Sequence, residues 1–330
     1  MHFLKALLVT FALVALAVLG AMTPGVRIFV GVVAPYAAMA LFLAGVTVRV
    51  VRWAGAAVPF RIPTTCGQQS SLTWIKPARL ESPHTRIGVV LRMALEVLLF
   101  RSLFRNVSAD LRQGAKLVYG EEKLLWLGAL AFHWSLLIIV LRHLRFFLEP
   151  IPRLVAGLER LDGFLQVGMP VCYVTDAVIF AALAYLLLRR LCNPQLRYIS
   201  LFADYLALSL MLGVVATGIL MRYFWKADIL LIKEIALGMV TFSPRAPEGA
   251  GPVFYAHLFL VSGLLACLPF SKLMHMAGIF LSPTRNLPND SRMKRHLNPW
   301  NHPVRVHSYE EWEDEFRGKI KAAGLPLERP

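Results

Sequence analysis

Six stretches of this 330-residue chain, at about 6–22, 28–48, 123–141, 171–188, 199–220 and 254–280, are apolar over close to the length needed to cross a lipid bilayer. A helix rising about 1.5 Å per residue needs about 20 such residues to span the hydrocarbon layer. Inside lipid, every backbone N–H and C=O must find a partner within the protein, so long apolar runs of this kind fold as helices. Composition agrees: 57% of the residues are hydrophobic and 17% are charged, too few polar groups to cover a soluble globule. The expected fold is all-α, a polytopic membrane bundle of six transmembrane helices with interfacial helices and a cytoplasmic tail.

The spans divide the chain into two N-terminal transmembrane helices (1–48), a basic loop with an interfacial helix (49–122), a four-helix unit (123–280) and a tail (281–330). The opening MHFLKALLVTFALVALAVLGAMTPG has the make-up of a signal peptide, and we read it as a retained helix. IGVVLRMALEVLLFRSLF, from Ile87, carries Arg92, Glu96 and Arg101 at near-helical spacing, which suits a helix lying at the membrane surface. DILLIKEIALGMV, from Asp228, is similar. In the tail, Ser308 can cap a short helix with Glu310 and Glu311 in its first turn and Lys319 and Lys321 near its end. That helix reads either as a solvated surface element or as a docking element for a cytoplasmic partner.

Basic residues set the orientation. The segment 49–122 holds 11 Lys and Arg against 5 Asp and Glu, the turn RRLCNPQLR holds 3 against none, and the tail 9 against 7. Segments 142–170 and 221–253 hold 4 against 3 each. Positive-inside bias places the first group and both termini in the cytoplasm, as an even number of spans in the inner membrane requires. The net charge of +15 is thus a membrane-topology signal. No basic recognition helix, zinc spacing or aromatic RNA-binding motif accompanies it, so nucleic acid is not an expected partner.

The four cysteines, Cys66, Cys172, Cys192 and Cys267, are too dispersed to form a CxxC or CxxCH, which argues against covalent haem attachment and a self-contained iron–sulfur cluster. Histidine is more informative. Five of nine fall in loops or termini, whereas His133 and His143 lie in the third span and His257 and His275 in the sixth. One intramembrane histidine can simply hydrogen-bond a neighbouring helix. Four confined to two helices suit b-type haem, whose iron takes one imidazole from each side. Because the two spans run in opposite directions, His143 pairs with His257 at the periplasmic level and His133 with His275 at the cytoplasmic level.

The spacings do not match along straight helices. Ten residues separate the first pair of positions by about 15 Å and eighteen separate the second by about 27 Å. Strong tilt or a bend at Pro269 is therefore expected. Ten residues also rotate about 80° out of register while eighteen return to the same face, so the two haem planes should differ in orientation.

These spacings, in this chain order, resemble the gamma subunit of respiratory nitrate reductase, a di-haem cytochrome b that handles quinol. The stretches PFRIPTTCGQQSSLTWIKPARLESPHTR, LRMALEVLLFRSLFRN, MHMAGIFLSPTRN and HLNPWNHPVRVHSYEEWEDEFR resemble the M subunits (DsrM) of the dissimilatory sulfite-reduction-associated complex over nearly the whole chain. The resemblance implies that His133, His143, His257 and His275 ligate two b haems. It also implies a complex with a cytoplasmic iron–sulfur subunit related to heterodisulfide reductase and with periplasmic and further membrane redox subunits. The implied chemistry is electron exchange between quinone and sulfur metabolism.

Other polar residues near the span ends have two readings each. Arg142, Arg145 and Arg222 can pair with haem propionates or anchor in lipid headgroups. Asp176 can serve as the acid–base group beside a quinone or as a wet interfacial residue, and Asp204 is treated alike. Cys66, in TTCGQQSS, can pack in its loop or touch the iron–sulfur partner. A proton-coupled transporter would need broken helices and several midplane charges, of which few are present. A plain membrane anchor would leave the four histidines without a purpose.

Overall fold

The computed structural model describes residues 1–56, 78–112, 116–163, 171–246, 248–290 and 305–329. Cys66 lies outside the described residues.

The first helix, α1 (His2–Ala21), is ordered by its small residues. Ala6, Thr10, Ala17, Gly20 and Ala21 are buried, while Leu4, Leu8, Phe11, Leu16 and Leu19 point outward. This is the pattern of a membrane helix, where close approach of backbones drives association and large apolar side chains face lipid. After a bend, α2 (Pro24–Ala54) returns across the bundle with Pro24 in its first turn and a wider π turn at Phe29–Val33. Proline fits there because the first-turn N–H has no helical acceptor.

The next helix, α3 (Arg86–Leu99), is capped by Thr85, whose hydroxyl accepts from the Gly88 N–H. Two of its charged residues face inward. Arg92 and Glu96 are buried, Arg92 donating to the Thr284 carbonyl (3.0 Å) and Glu96 accepting from the Ser102 N–H (3.0 Å) and hydroxyl. Ile87, Val90, Leu91 and Leu98 are exposed instead. Charges that find partners inside the protein free the apolar face for hydrocarbon, and the helix's last carbonyls are met by indoles rather than water. These indoles come from α4 (Lys123–Phe147): Trp126 donates to Leu99 O (2.7 Å) and Trp134 to Leu98 O (3.0 Å). Between α3 and α4 runs an antiparallel hairpin, β1 (Val107–Arg112) with β2 (Lys116–Glu121), in the register Val107↔Glu121 to Arg112↔Lys116. It is a departure from an all-α chain.

Beyond α4 come the short helix α5 (Arg153–Asp162), α6 (Val174–Cys192) and α7 (Phe202–Phe224), whose last turn, Leu220–Phe224, widens to π geometry. Next are α8 (Ile229–Val240), capped by Asp228, α9 (Pro252–Cys267) and the tail helix α10 (Tyr309–Ala322). Ser308 and Glu311 form a reciprocal capping box at the start of α10, as the sequence predicts for Ser308.

Among the described residues, five helices are long and apolar enough to cross a membrane: α1, α2, α4, α7 and the segment Pro252–Phe270. The expected fourth span at 171–188 is helical as α6, but Asp176, Arg189 and Arg190 confine its uncharged stretch to residues 177–188. The expected sixth span, 254–280, does not continue as one helix. It ends in a tight turn at Leu268–Phe270, breaks at Ser271 and resumes as the short helix His275–Gly278. Proline at 269 removes a helical donor and starts the break. Gly45 of α2 lets the break pack closely, since a Cβ there would sit 2.6 Å from Pro269 Cβ. Arg49 of α2 donates to the carbonyl of Pro269 itself, at the break.

The helices pack in a chain of neighbours, α4 on α6, α6 on α7, α7 on α9 and α1, and α9 on α2. One core cluster (Phe132, Ile179, Ala182, Leu183) ties α4 to α6, and another (including Ala17, Val30, Ile235 and Tyr255) ties α1, α2, α8 and α9. The histidine helices α4 and α9 belong to different clusters and meet through their imidazole rings.

Candidate functional site

His133 and His143 come from α4, and His257 comes from the second turn of α9. His275 opens the short helix that follows the break at Ser271. The rings form two crosswise pairs. The centres of His143 and His257 are 6.5 Å apart with planes inclined by 15°, and those of His133 and His275 are 5.9 Å apart with planes at 79°. The break in α9 resolves the mismatch between the ten- and eighteen-residue spacings, because His275 is carried by a segment free of the α9 axis.

All four rings are fixed through Nδ1. It bonds the carbonyls of Ala129 for His133 (2.7 Å), Ile139 for His143 (2.7 Å) and Lys272 for His275 (2.9 Å), and the hydroxyl of Thr217 for His257 (3.0 Å). No Nε2 among them is hydrogen-bonded to a described residue. A ligating histidine is usually held in this way, with the proton on the anchored nitrogen and the lone pair on the other. His143 and His275 are exposed and His133 and His257 half-buried.

The donor set fits an iron porphyrin. With metal–imidazole bonds of about 2 Å, two axial imidazoles hold their ring centres about 6.3 Å apart, close to both separations here. Among the described residues, no group of three or more His, Cys, Asp or Glu converges to hold a bare metal ion. A porphyrin needs none, since it brings four nitrogens of its own and asks the protein for two.

Beside His143 lies an ionic network centred on the buried Arg142 and Asp162. The Arg142 guanidinium is 2.7 Å from Asp162 and 3.0 Å from Asp176, and it covers the Tyr173 ring at 3.6 Å. Arg222 lies over the same ring at 3.9 Å and donates to the Val171 carbonyl (3.0 Å). Tyr223 donates to the second oxygen of Asp176 (2.8 Å), and Asp162 also accepts from the Thr175 N–H and hydroxyl. Arg145 pairs with Glu159, which accepts from the Tyr173 hydroxyl (2.6 Å). The structure thus gathers Arg142, Arg145, Arg222 and Asp176 at one end of the bundle. The Nε atoms of Arg142 and Arg222 are buried without a hydrogen-bond partner among the described residues, leaving donors for an acidic group.

Asp204 is at the other end, where it accepts from the Leu201 N–H (3.0 Å) and pairs with Lys272 (2.8 Å). There too, Phe100 rests edge-on against His133 with ring centres 4.9 Å apart. Phe100 has φ 50°, a left-handed conformation uncommon outside glycine. Sequence reasoning missed Phe100, Asp162, Glu159, Tyr173, Thr217 and Tyr223. Each acquires its role from a tertiary contact that no local pattern announces.

With this geometry in place, comparison with known proteins is decisive at the level of family. The model of the nitrate reductase gamma subunit family matches residues 89–289. The chain belongs to that family. The matched gamma-subunit region contains all four paired histidines and runs from α3 to beyond α9. Two relatives are named as Hdr-like menaquinol oxidoreductase cytochrome b-like subunits. The one from Archaeoglobus fulgidus is 44% identical over 282 residues, covering 83% of this chain and 84% of that protein. The one from Archaeoglobus profundus is 45% identical over 275 residues, covering 81% of each. Family membership and the apolar helices together make this gamma-family chain a multi-pass membrane protein.

Proposed function

We propose that this chain is a di-haem b electron-transfer subunit linking the membrane quinone pool to a cytoplasmic iron–sulfur partner of heterodisulfide reductase type, in dissimilatory sulfur metabolism of the DsrM kind. The observation that carries the proposal is the pair of crosswise imidazole couples, each close to the separation one iron requires, with every Nδ1 anchored. His143 with His257 holds the periplasmic-side haem and His133 with His275 the cytoplasmic-side haem. When bound, the haems supply one-electron transfer across the low-dielectric bundle. The topology is six spans, including α6, in the inner membrane with both termini cytoplasmic, as the basic residues require. The division at 48, 122 and 280 follows that topology. The periplasmic and further membrane redox subunits implied by the resemblance complete the complex.

The protein's own groups bind, orient and handle protons. Nδ1 anchoring fixes each ring's tautomer and leaves Nε2 with the lone pair. Oxidation of a quinol releases two electrons and two protons, and Asp176, joined to Tyr223, is the acid–base group we assign to it. The relatives' names make menaquinol the quinol of choice. Arg142 and Arg222 offer their free Nε donors to propionates, where desolvation makes a charge-assisted bond strong.

The dithionite-reduced spectrum of the purified chain tests the reading. Low-spin b-type bands with two haems per chain are expected, and menaquinol analogues should reduce them. A colourless polypeptide overturns it.

A further inference from the structure

Three of the four histidines give Nδ1 to a backbone carbonyl, and only His257 meets a side chain, the hydroxyl of Thr217 at 3.0 Å. The direction of that bond follows from the surroundings of Thr217. Its Oγ1 lies 2.8 Å from the Gly213 carbonyl and 3.0 Å from the Val214 carbonyl, both of which can only accept. The single hydroxyl proton therefore goes to the backbone, and Thr217 Oγ1 receives the N–H of His257. Thr217 is buried, and the next residue, Gly218, brings the α7 backbone against the ring: a Cβ at 218 would sit 3.4 Å from His257 Cε1.

We propose that Thr217 is the positioning residue of the His143/His257 haem. It fixes the His257 tautomer and raises the midpoint potential of that haem relative to what a carbonyl acceptor would give. This rests on the reading that His143 and His257 are axial ligands. An amide carbonyl polarises an imidazole N–H more strongly than a hydroxyl does, making the ring a more electron-rich ligand that favours ferric iron. His133 and His275 both have carbonyl acceptors, whereas the other couple has one carbonyl and one hydroxyl. This difference alone biases electrons toward the His143/His257 haem, and it gives two chemically similar sites unequal potentials without changing a ligand.

Potentiometric titration of the haem-loaded protein, with haem content measured alongside, tests the proposal on Thr217→Val and Thr217→Ser. Valine keeps the shape and removes the acceptor; serine keeps the acceptor. In Thr217→Val, one midpoint should rise by about tenfold in the ferric/ferrous equilibrium, about 59 mV for one electron, while the other stays in place. Thr217→Ser should titrate like the natural protein. If Thr217→Val retains only one haem while Thr217→Ser retains two, the same positioning role is supported through occupancy. Two bound haems with unmoved midpoints overturn the proposal, as does a serine variant that behaves like the valine one. Failure of the underlying ligand assignment looks different: no haem in the natural protein, or two haems retained in His257→Ala.

Discussion

The two ends of the bundle hold histidine couples by different means. At the His143 end the helices are continuous, the rings lie within 15° of parallel, and the surrounding charges are buried and paired within the protein. At the His133 end the helix is broken at Ser271, the rings are nearly perpendicular, and the ion pair beside them reaches into water, with the Lys272 side chain 76% exposed. Two histidine couples can therefore be held either by a stiff ionic frame or by a bent backbone. The first kind should fail when a charge is removed, and the second when the bend is crowded.

The largest effect should come from the proposed ligands, and it tests the crosswise pairing itself. His143→Ala and His257→Ala should each lose one haem, and the double variant should lose no more than either. His133→Ala combined with His143→Ala should lose both. Pyridine haemochrome stoichiometry reads this directly, and two lost haems in the His143/His257 double variant would refute the pairing. Next comes the frame. Arg142→Met leaves the buried Asp162 and the half-buried Asp176 without their cation, and breaking a buried pair such as Arg142–Asp162 destabilises by about 3–5 kcal/mol. Thermal unfolding in detergent should show a large loss, greater than for removal of the exposed Lys272 charge at the other end. Third is the bend. Gly45→Val drives a side chain into Pro269, where even a Cβ would approach to 2.6 Å, and overpacking of this sort costs about 1–3 kcal/mol. The spectrum of the His133/His275 haem should change while that of its counterpart stays fixed.

Much of this comparison is legible in the sequence, because it rests on long-range periodicity. Apolar runs of bilayer length declare helices, and the opposite directions of the third and sixth spans fix which histidines share a level. The conflict between spacings of ten and eighteen already demands either strong tilt or a bend at Pro269. What is not legible depends on contacts between distant segments. Asp162 lies twenty residues from Arg142 in a connection whose charges look like solvated loop residues. Arg92 and Glu96 have a spacing that suits a surface helix equally well, and only the position of Thr284 and Ser102 turns them inward. In the hairpin, β1 (VSADLR) alternates apolar and polar residues as a strand does, but β2 (KLVYGE) does not and is largely exposed, so the pair carries only half of the periodic signal.

The smallest effect sharpens the comparison most finely. Asp204 is held by Lys272 on the segment that carries His275 and by its bond to the Leu201 N–H, which closes the start of α7. Because Lys272 stands largely in water, side-chain entropy and screening leave the pair worth at most about 1 kcal/mol. Lys272→Gln should lower stability by that amount or less, and raising the salt concentration should erase the difference between variant and natural protein. Arg142→Met should keep its deficit at the same salt, since buried charges are screened far less. Parallel salt titrations of the two variants thus separate the ends by a property that neither helicity nor haem content reports. Equal salt sensitivity in the two variants would mean that the frames do not differ in kind, and the contrast between a stiff ionic end and a bent, hydrated one would have to be abandoned.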